Sequence, residues 1–333
     1  MATRVLAFLA AVAMVVGAVA VRNRSHDGNS SGGAAARSGP LQLVCASELQ
    51  QVCDAIASTQ RGVNVVVEAA GVTADRLKSI DAKTAAVDGW LTPGAWGELV
   101  DASRPEGTAK LFADTTPPLA RSPFVLAVWK ADRTRLGCGE PVDLACVGDA
   151  VAARGFRLGA APDDQAEGVL SDAALAAAHI KNPNFASNDL TETDLADWLT
   201  AVDTSVDRVG RNPGGRSFAE MLTFGSAAAE GYLSTEAVIG PQLVRAARRG
   251  QVDLLDVVPL ATVDVTFAGR PGDRGSRLRA IVRSEAALEA LRVNGWRVEG
   301  RPPVNGVDSA RPLPKDDGLP SAGVLQAVRE LTR

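Results

Sequence analysis

The chain is predicted to be an α/β protein, with helices packed on a largely parallel sheet, on three observations. From Leu41 onward, short β-branched or apolar runs alternate with amphipathic stretches at helical spacing. Strand, helix, strand in repetition is the pattern of a parallel sheet with right-handed crossovers. The sequence is 46% hydrophobic but only 4% aromatic, so alanine and valine fill the core, as in strands covered by helices on both faces. About 290 residues follow Pro40, too many for one small core and suited to two lobes.

Before that core, residues 1–20 read as an export signal. Arg4 supplies the positive start, Val5–Val16 is apolar throughout, and Ala18-Val19-Ala20 is a small-x-small cleavage pattern. The apolar span Val5–Val21 is 17 residues long, the lower edge of what crosses a bilayer, so a retained signal anchor stands as the alternative. No cysteine follows the run closely enough for lipid attachment at a mature N-terminus. Residues 21–40, rich in Ser, Gly, Asn and Arg, read as a flexible tether.

The elements then follow in order. Leu41–Cys45 is a strand, and Ser47 caps a helix to about Ser58. Val63–Val67 is a β-branched strand, followed by a helix that Thr73 can cap. Ala85–Leu91 gives a third strand, and Thr92-Pro93-Gly94 turns into a helix around Trp96. Leu119–Lys130 is a long apolar strand. A short strand ends near Leu158, and Pro162-Asp163-Asp164 and Gly168 punctuate a loop before an Ala/Leu-rich helix from Val169. Such a connection presents unpaired helix-start amides, where the dipole favours negative charge. Thr191-Glu192-Thr193-Asp194 resembles a capping box ahead of a helix with Leu195, Trp198, Leu199 and Val202 on one face. Ser217–Phe224 is a short helix, and Tyr232-Leu233 leads through Ser234-Thr235-Glu236 into another. Val252–Leu260, Thr262–Ala268 and Leu278–Val282 are expected strands, Ser284–Asn294 a helix stopped by Gly295. Arg301–Pro320 reads as a Pro- and Gly-rich linker, and Ser321–Thr332 as a final amphipathic helix.

The four cysteines form two evenly spaced pairs, Cys45/Cys53 and Cys138/Cys146, with neither C-x-x-C nor zinc-site spacing. In an exported protein they should be oxidised. Three pairings are open, of which the local one is the simplest. Each local bridge would close a short loop worth about 2–3 kcal/mol on the chain-entropy model.

The order of segments resembles the bacterial extracellular solute-binding proteins of the type II periplasmic-binding-protein fold. The resemblance runs through Leu43-Val44-Cys45-Ala46-Ser47-Glu48-Leu49, Asp88-Gly89-Trp90-Leu91-Thr92 and Leu119–Ala127, then Gly159–Ala174, Leu233-Ser234-Thr235-Glu236 and Ala290–Arg297. It implies two α/β lobes hinged around a cleft, a Venus flytrap: lobe 1 over 41–121 plus 236–310, lobe 2 over 122–235. Ligand positions carried over are Ser47, Trp90 and Thr92 at strand ends, Ser122 and Thr235 at the crossovers, and Glu167, Gly168, Val169 and Ser171 at the helix start. Leu319–Leu331, within the terminal 311–333 stretch, resembles the connector that precedes a von Willebrand factor A domain in longer actinobacterial relatives; the chain stops before any such domain.

Two departures bear on the ligand. Oxyanion-binding members carry small and hydroxyl residues in the helix-start loop, where this chain has Glu167. Its charge would repel an anion or occupy the amides itself. Such members also often place a tyrosine just before the second crossover, where Leu233 stands here beside Tyr232. A cationic, neutral or peptide-like ligand is therefore an open expectation.

Other chemistries find little support. With 35 basic and 39 acidic residues, the chain has no charge excess for a nucleic-acid surface. The two histidines, His26 and His179, have no triad or metal motif around them, and no phosphate-binding glycine motif is present. Asp163-Asp164 and Asp316-Asp317 read as solvated charge. The expectation is a non-enzyme without cofactor, located outside the cytoplasm, secreted or held to the membrane only by its N-terminal segment. It would capture a small molecule or ion, with a membrane permease of the ABC type as partner. The alternative is a tethered sensing or interaction module of the same fold, with a surface protein as partner.

Overall fold

Strands and helices alternate from Leu41 on. The computed structural model describes residues 39–112, 116–191, 193–208, 217–314 and 317–332. The expected signal or anchor and nearly all of the tether lie outside the described residues. The first half runs β1 (Leu41–Ala46), α1 (Gln50–Thr59), β2 (Val63–Glu68), α2 (Ala70–Lys78), β3 (Gly89–Pro93) and α3 (Trp96–Ala102). Then comes the longest strand, β4 (Ala120–Trp129), followed by α4 (Arg133–Leu136), β5 (Val142–Asp143), α5 (Leu144–Arg154), β6 (Leu158–Ala160) and α6 (Ala166–His179). Next are α7 (Thr193–Ser205), β7 (Asp207–Arg208), α8 (Phe218–Phe224), β8 (Gly231–Thr235) and α9 (Glu236–Arg245). The chain ends through β9 (Val252–Val258), β10 (Thr262–Gly269), α10 (Asp273–Val282), α11 (Glu285–Val293) and α12 (Ala322–Leu331).

The sheet order is β2-β1-β3-β10-β4-β8-β6-β7, with β9 also on β4 and β5 on β9. The outer strands are parallel: β1 with β2 and β3, β6 with β7 and β8. The centre is antiparallel, because β10 returns against both β3 and β4. β4 belongs to both halves. Its start, Ala120–Pro123, pairs with β10, and its remainder pairs with β8 and β9. β9 falls in the stretch the sequence assigns to lobe 1, yet it pairs with Val125–Trp129 of the second half. The chain returns to the first half at Thr262.

Three expected elements are displaced. Leu278–Val282 is helix rather than strand, because Gly275, Leu278 and Val282 recur at helical spacing on the buried side of α10. β3 begins at Gly89 rather than Ala85. α6 begins at Ala166 rather than Val169, so Glu167 and Gly168 stand in its first turn. The caps differ too: Ser47 opens a short turn without capping α1, Thr73 lies inside α2, and Ser217 with Glu220 completes a reciprocal capping box on α8 that was not among the expected caps. Both local disulfides are formed, Cys45–Cys53 and Cys138–Cys146. Val44, Trp90, Trp96 and Phe267 belong to the main core, and a smaller cluster gathers Val125, Trp129, Phe218 and Tyr232 on the far side of β4. Among the described residues, no helix is long and apolar enough to cross a membrane.

Candidate functional site

Parallel strands leave their carboxyl ends on one side of a sheet, and that is where side chains from distant segments meet. β1 ends at Ala46 and delivers Ser47 and Glu48 in a tight turn before α1. β3 delivers Thr92 and Gly94; β8 delivers Ser234 and Thr235; β6 leads into the first turn of α6. These segments converge between the two halves of the sheet.

The contacts are specific. Glu48 reaches from the first half to the start of α6, where its Oε1 accepts the Glu167 amide at 3.1 Å. Ser47 Oγ donates to Glu48 Oε2 at 3.2 Å. Glu167 turns the other way: Ser234 and Thr235 each donate a hydroxyl to its carboxylate at 2.5 Å. A carboxylate does sit on the helix-start amides, but it comes from Glu48, 119 residues away in sequence, and not from Glu167. Glu48 stabilises that helix end as an anion would, by accepting free amides and opposing the dipole.

Burial sets the electrostatics. Glu167 is 3% exposed, and desolvation pushes its carboxyl up from 4.5 to about 7. The two hydroxyl bonds oppose that rise and the nearby Glu48 charge adds to it. Glu48 is also raised by desolvation, against the amides of Glu167 and Ala166 and the Ser47 hydroxyl.

The remaining expected positions have internal partners too. Ser122 is fully buried, and its Oγ accepts the Ala237 amide at 2.9 Å at the start of α9. Thr92 donates to the Gly94 carbonyl at 3.2 Å, and Ser171 donates to the Gly168 carbonyl at 2.7 Å. Val169 is buried in the core. Gly168 is required by crowding, since a Cβ there would stand 2.0 Å from the Pro162 carbonyl oxygen. Trp90 is enclosed against Trp96 and Phe112, each 6.2 Å away between ring centres, with no exposed edge. The expectation that it faces a cavity is corrected: Val44 pairs with it from β1 and Ala268 from β10, and the indole packs inside the first half. Sequence reasoning passed over Glu48 and Ser234 as site residues. The signal was there in part, because each adjoins a chosen strand-end hydroxyl, Ser47 and Thr235.

What stays open beside this buried knot is a groove of about 960 Å³ between α1, α9 and α11. Ser47 and Glu48 form one wall, with Gln51, Gln242, Arg245 and Asn294 around them. Among the described residues, no group of three or more His, Cys, Asp or Glu is placed to hold a metal ion.

No family model matches the sequence, and no curated protein matches it. Solved structures do match in fold. Iron-bound HitA from Pseudomonas aeruginosa aligns with TM-score 0.58 and 15% identity over 88% of this chain and 98% of its own. FutA (IdiA) from Trichodesmium, in complex with iron and citrate, gives 0.54 and 14% over the same shares. The periplasmic binding protein AfuA from Actinobacillus pleuropneumoniae, with fructose-6-phosphate bound, gives 0.55 and 10% over 87% and 94%. The chain therefore has the α/β, two-lobed type II periplasmic-binding-protein fold.

Proposed function

We propose that this chain is an extracytoplasmic solute-binding protein that takes a small ligand into its interlobe cleft and passes it to an ABC-type transporter. The observation that carries the reading is the convergence of Ser47-Glu48, Glu167 and Ser234-Thr235 from three strand ends at one point. The fold neighbours that bind iron with citrate or a sugar phosphate support it. Lobe 1 would comprise 41–121 plus 236–310 and lobe 2 the stretch 122–235, with β9 contributed across the boundary. The first 20 residues would export the chain or anchor it.

The groove beside that cleft is lined by lobe 1 alone, so it bears on the ligand only as an approach to the cleft. Its lining offers several side-chain amides, one exposed cation at Arg245 and the carboxylates of Glu48 and Glu289. That set suits a polar neutral or zwitterionic solute better than a simple oxyanion, which would meet two carboxyls. A thermal-shift panel of amino acids, dipeptides, sugars, sugar phosphates and ferric citrate tests the reading. A true ligand at a hundred times its Kd adds about 2.7 kcal/mol and raises the Tm by about 4–5 °C. Silence across the panel, in the full chain and in Glu48→Gln, would count against it.

One observation favours a second reading, a surface sensing or interaction module: every expected ligand-binding hydroxyl already has an internal partner. On that reading the terminal stretch, which resembles a connector to a von Willebrand factor A domain, would report the state of the lobes to a surface partner.

A further inference from the structure

The described residues after α11, which include most of the expected Arg301–Pro320 linker, are bound at several points to the strands that join the two lobes. Arg297 pairs with Arg121 of β4 through two backbone hydrogen bonds of 2.9 Å. Its guanidinium binds Glu236, which is fully buried at the start of α9. Arg311 binds the other oxygen of Glu236 and also Asp256 of β9. The Asp308 amide reaches Glu236 Oε1 at 2.9 Å, and Arg121 donates to the Pro314 carbonyl at 2.7 Å. The Thr262 amide, where β10 begins, donates to the Asp317 carbonyl at 2.7 Å. β4, the β8–α9 junction, β9 and β10 are thus all tied to one segment.

That segment ends in α12, which packs against α3 of lobe 1 and α6 of lobe 2. Val324, Leu325 and Val328 are buried on its inner face. Arg329 is 1% exposed; it binds Asp75 of α2 at 2.8 Å and the Gly71 carbonyl at 2.8 Å, and lies 5.7 Å over the Trp96 ring. Beneath it the lobes touch directly, through the Gly71 amide on the Asp164 carbonyl at 2.7 Å.

We propose that residues 297–314 and 317–331 form a built-in latch, which belts the interlobe strands and seats α12 across both lobes so that the cleft stays closed without ligand. A flytrap opens by bending its crossing strands and parting its lobes, and this segment must let go for either to happen. Release of α12 is then the opening step. As regulation of ligand capture the latch rests on the receptor reading; as a closure device it rests on these contacts alone.

The test is amide hydrogen exchange on the full, unmodified chain at rising urea. If the latch governs opening, the interlobe amides of Gly71 and Glu167 and the α12 amides of Leu325 and Val328 exchange through one shared opening, with the same urea dependence. Arg329→Met should then speed all four together, by about a hundredfold, from the loss of the buried guanidinium's bonds to Asp75 and the Gly71 carbonyl and its contact with the Trp96 ring. Interlobe amides that exchange well ahead of α12 would mean that the cleft opens under a seated latch. Interlobe amides still protected after α12 has let go would mean that the latch holds nothing. Either result overturns the proposal, and neither bears on whether a solute binds. A failed ligand panel likewise leaves the latch standing.

Discussion

Glu167 makes stability depend on pH in a calculable way. Its carboxyl is 3% exposed and titrates near 7 in the folded chain, against an ordinary value of 4.5. A pKa raised by folding means that the native state holds the proton more tightly than the unfolded one. The resulting stabilisation is complete below about pH 4.5 and is lost as pH rises through 7. At about 1.4 kcal/mol per tenfold change in proton affinity, the loss is about 3 kcal/mol by pH 8. The groups facing Glu167 are Ser234 and Thr235 from β8 and Glu48 from the turn before α1. Glu48 is the titratable group among them, itself raised by burial, and its charge is one of the causes of the rise. Glu167→Gln keeps the shape, leaves an amide oxygen to accept one hydroxyl and a nitrogen to donate to the other, and removes the charge. Urea unfolding followed by tryptophan fluorescence, from pH 3.5 to 8.5, should give curves that coincide below about pH 4 and separate as pH rises. The variant should be more stable by about 3 kcal/mol near pH 8. In Glu48→Gln the midpoint of the wild-type loss should move to lower pH. Parallel curves for wild type and Glu167→Gln across the whole window would refute the reasoning, because they would place the titration of Glu167 outside it.

Three further outcomes follow from packing and covalent structure. Gly168→Ala should destabilise by more than about 2 kcal/mol in urea unfolding, because its Cβ would stand 2.0 Å from a backbone oxygen that cannot rotate away. Trp90→Ala should cost about 3–5 kcal/mol, and Trp90→Phe less than about 1.5 kcal/mol. The smaller figure reflects the indole N–H, which is buried without a hydrogen-bond partner in the structure; a ligand's affinity should be unmoved by the phenylalanine. The chain should show no free thiol under denaturing conditions, and replacing Cys45 and Cys53 together by alanine should lower stability by about 2–3 kcal/mol. Mass mapping of crossed pairs would contradict that pairing.

The legible part of this molecule was what neighbours in sequence decide. The β-branched run at Val63–Val67 and the alternation of strands with helices are local chemistry, and they place the strand ends without any tertiary information. Leu278–Val282 was misread because five apolar-rich residues fit either period, and only the contact of Gly275, Leu278 and Val282 with the sheet selects the helix. Trp90 followed the same logic from the other side. A strand-end tryptophan has one face toward the cleft and one toward the core, and the packing of Trp96 and Phe112 decided it.

The site itself divides along the same line. Which hydroxyls gather at the cleft is a matter of strand ends, and strand ends are local. Whether a gathered hydroxyl is available to a ligand depends on what arrives from far along the chain. Glu48 comes to α6 across 119 residues and Ser234 comes to Glu167 across 67. The Ala237 amide comes to Ser122 across 115. Composition and spacing carry no record of those meetings. An acid one residue beyond a strand-end serine looks the same whether it faces water or caps a helix in the opposite lobe. The difference matters for function more than any residue's identity, because a cleft whose donors are satisfied by its own carboxylates has an internal occupant to displace. A solute must then offer Ser234, Thr235 and the α6 amides partners at least as good as Glu167 and Glu48, or be met in the groove where only Ser47 and Glu48 remain accessible. Because folding favours the protonated form of Glu167, a competitor would meet a neutral carboxyl there below about pH 7 and a charged one above it.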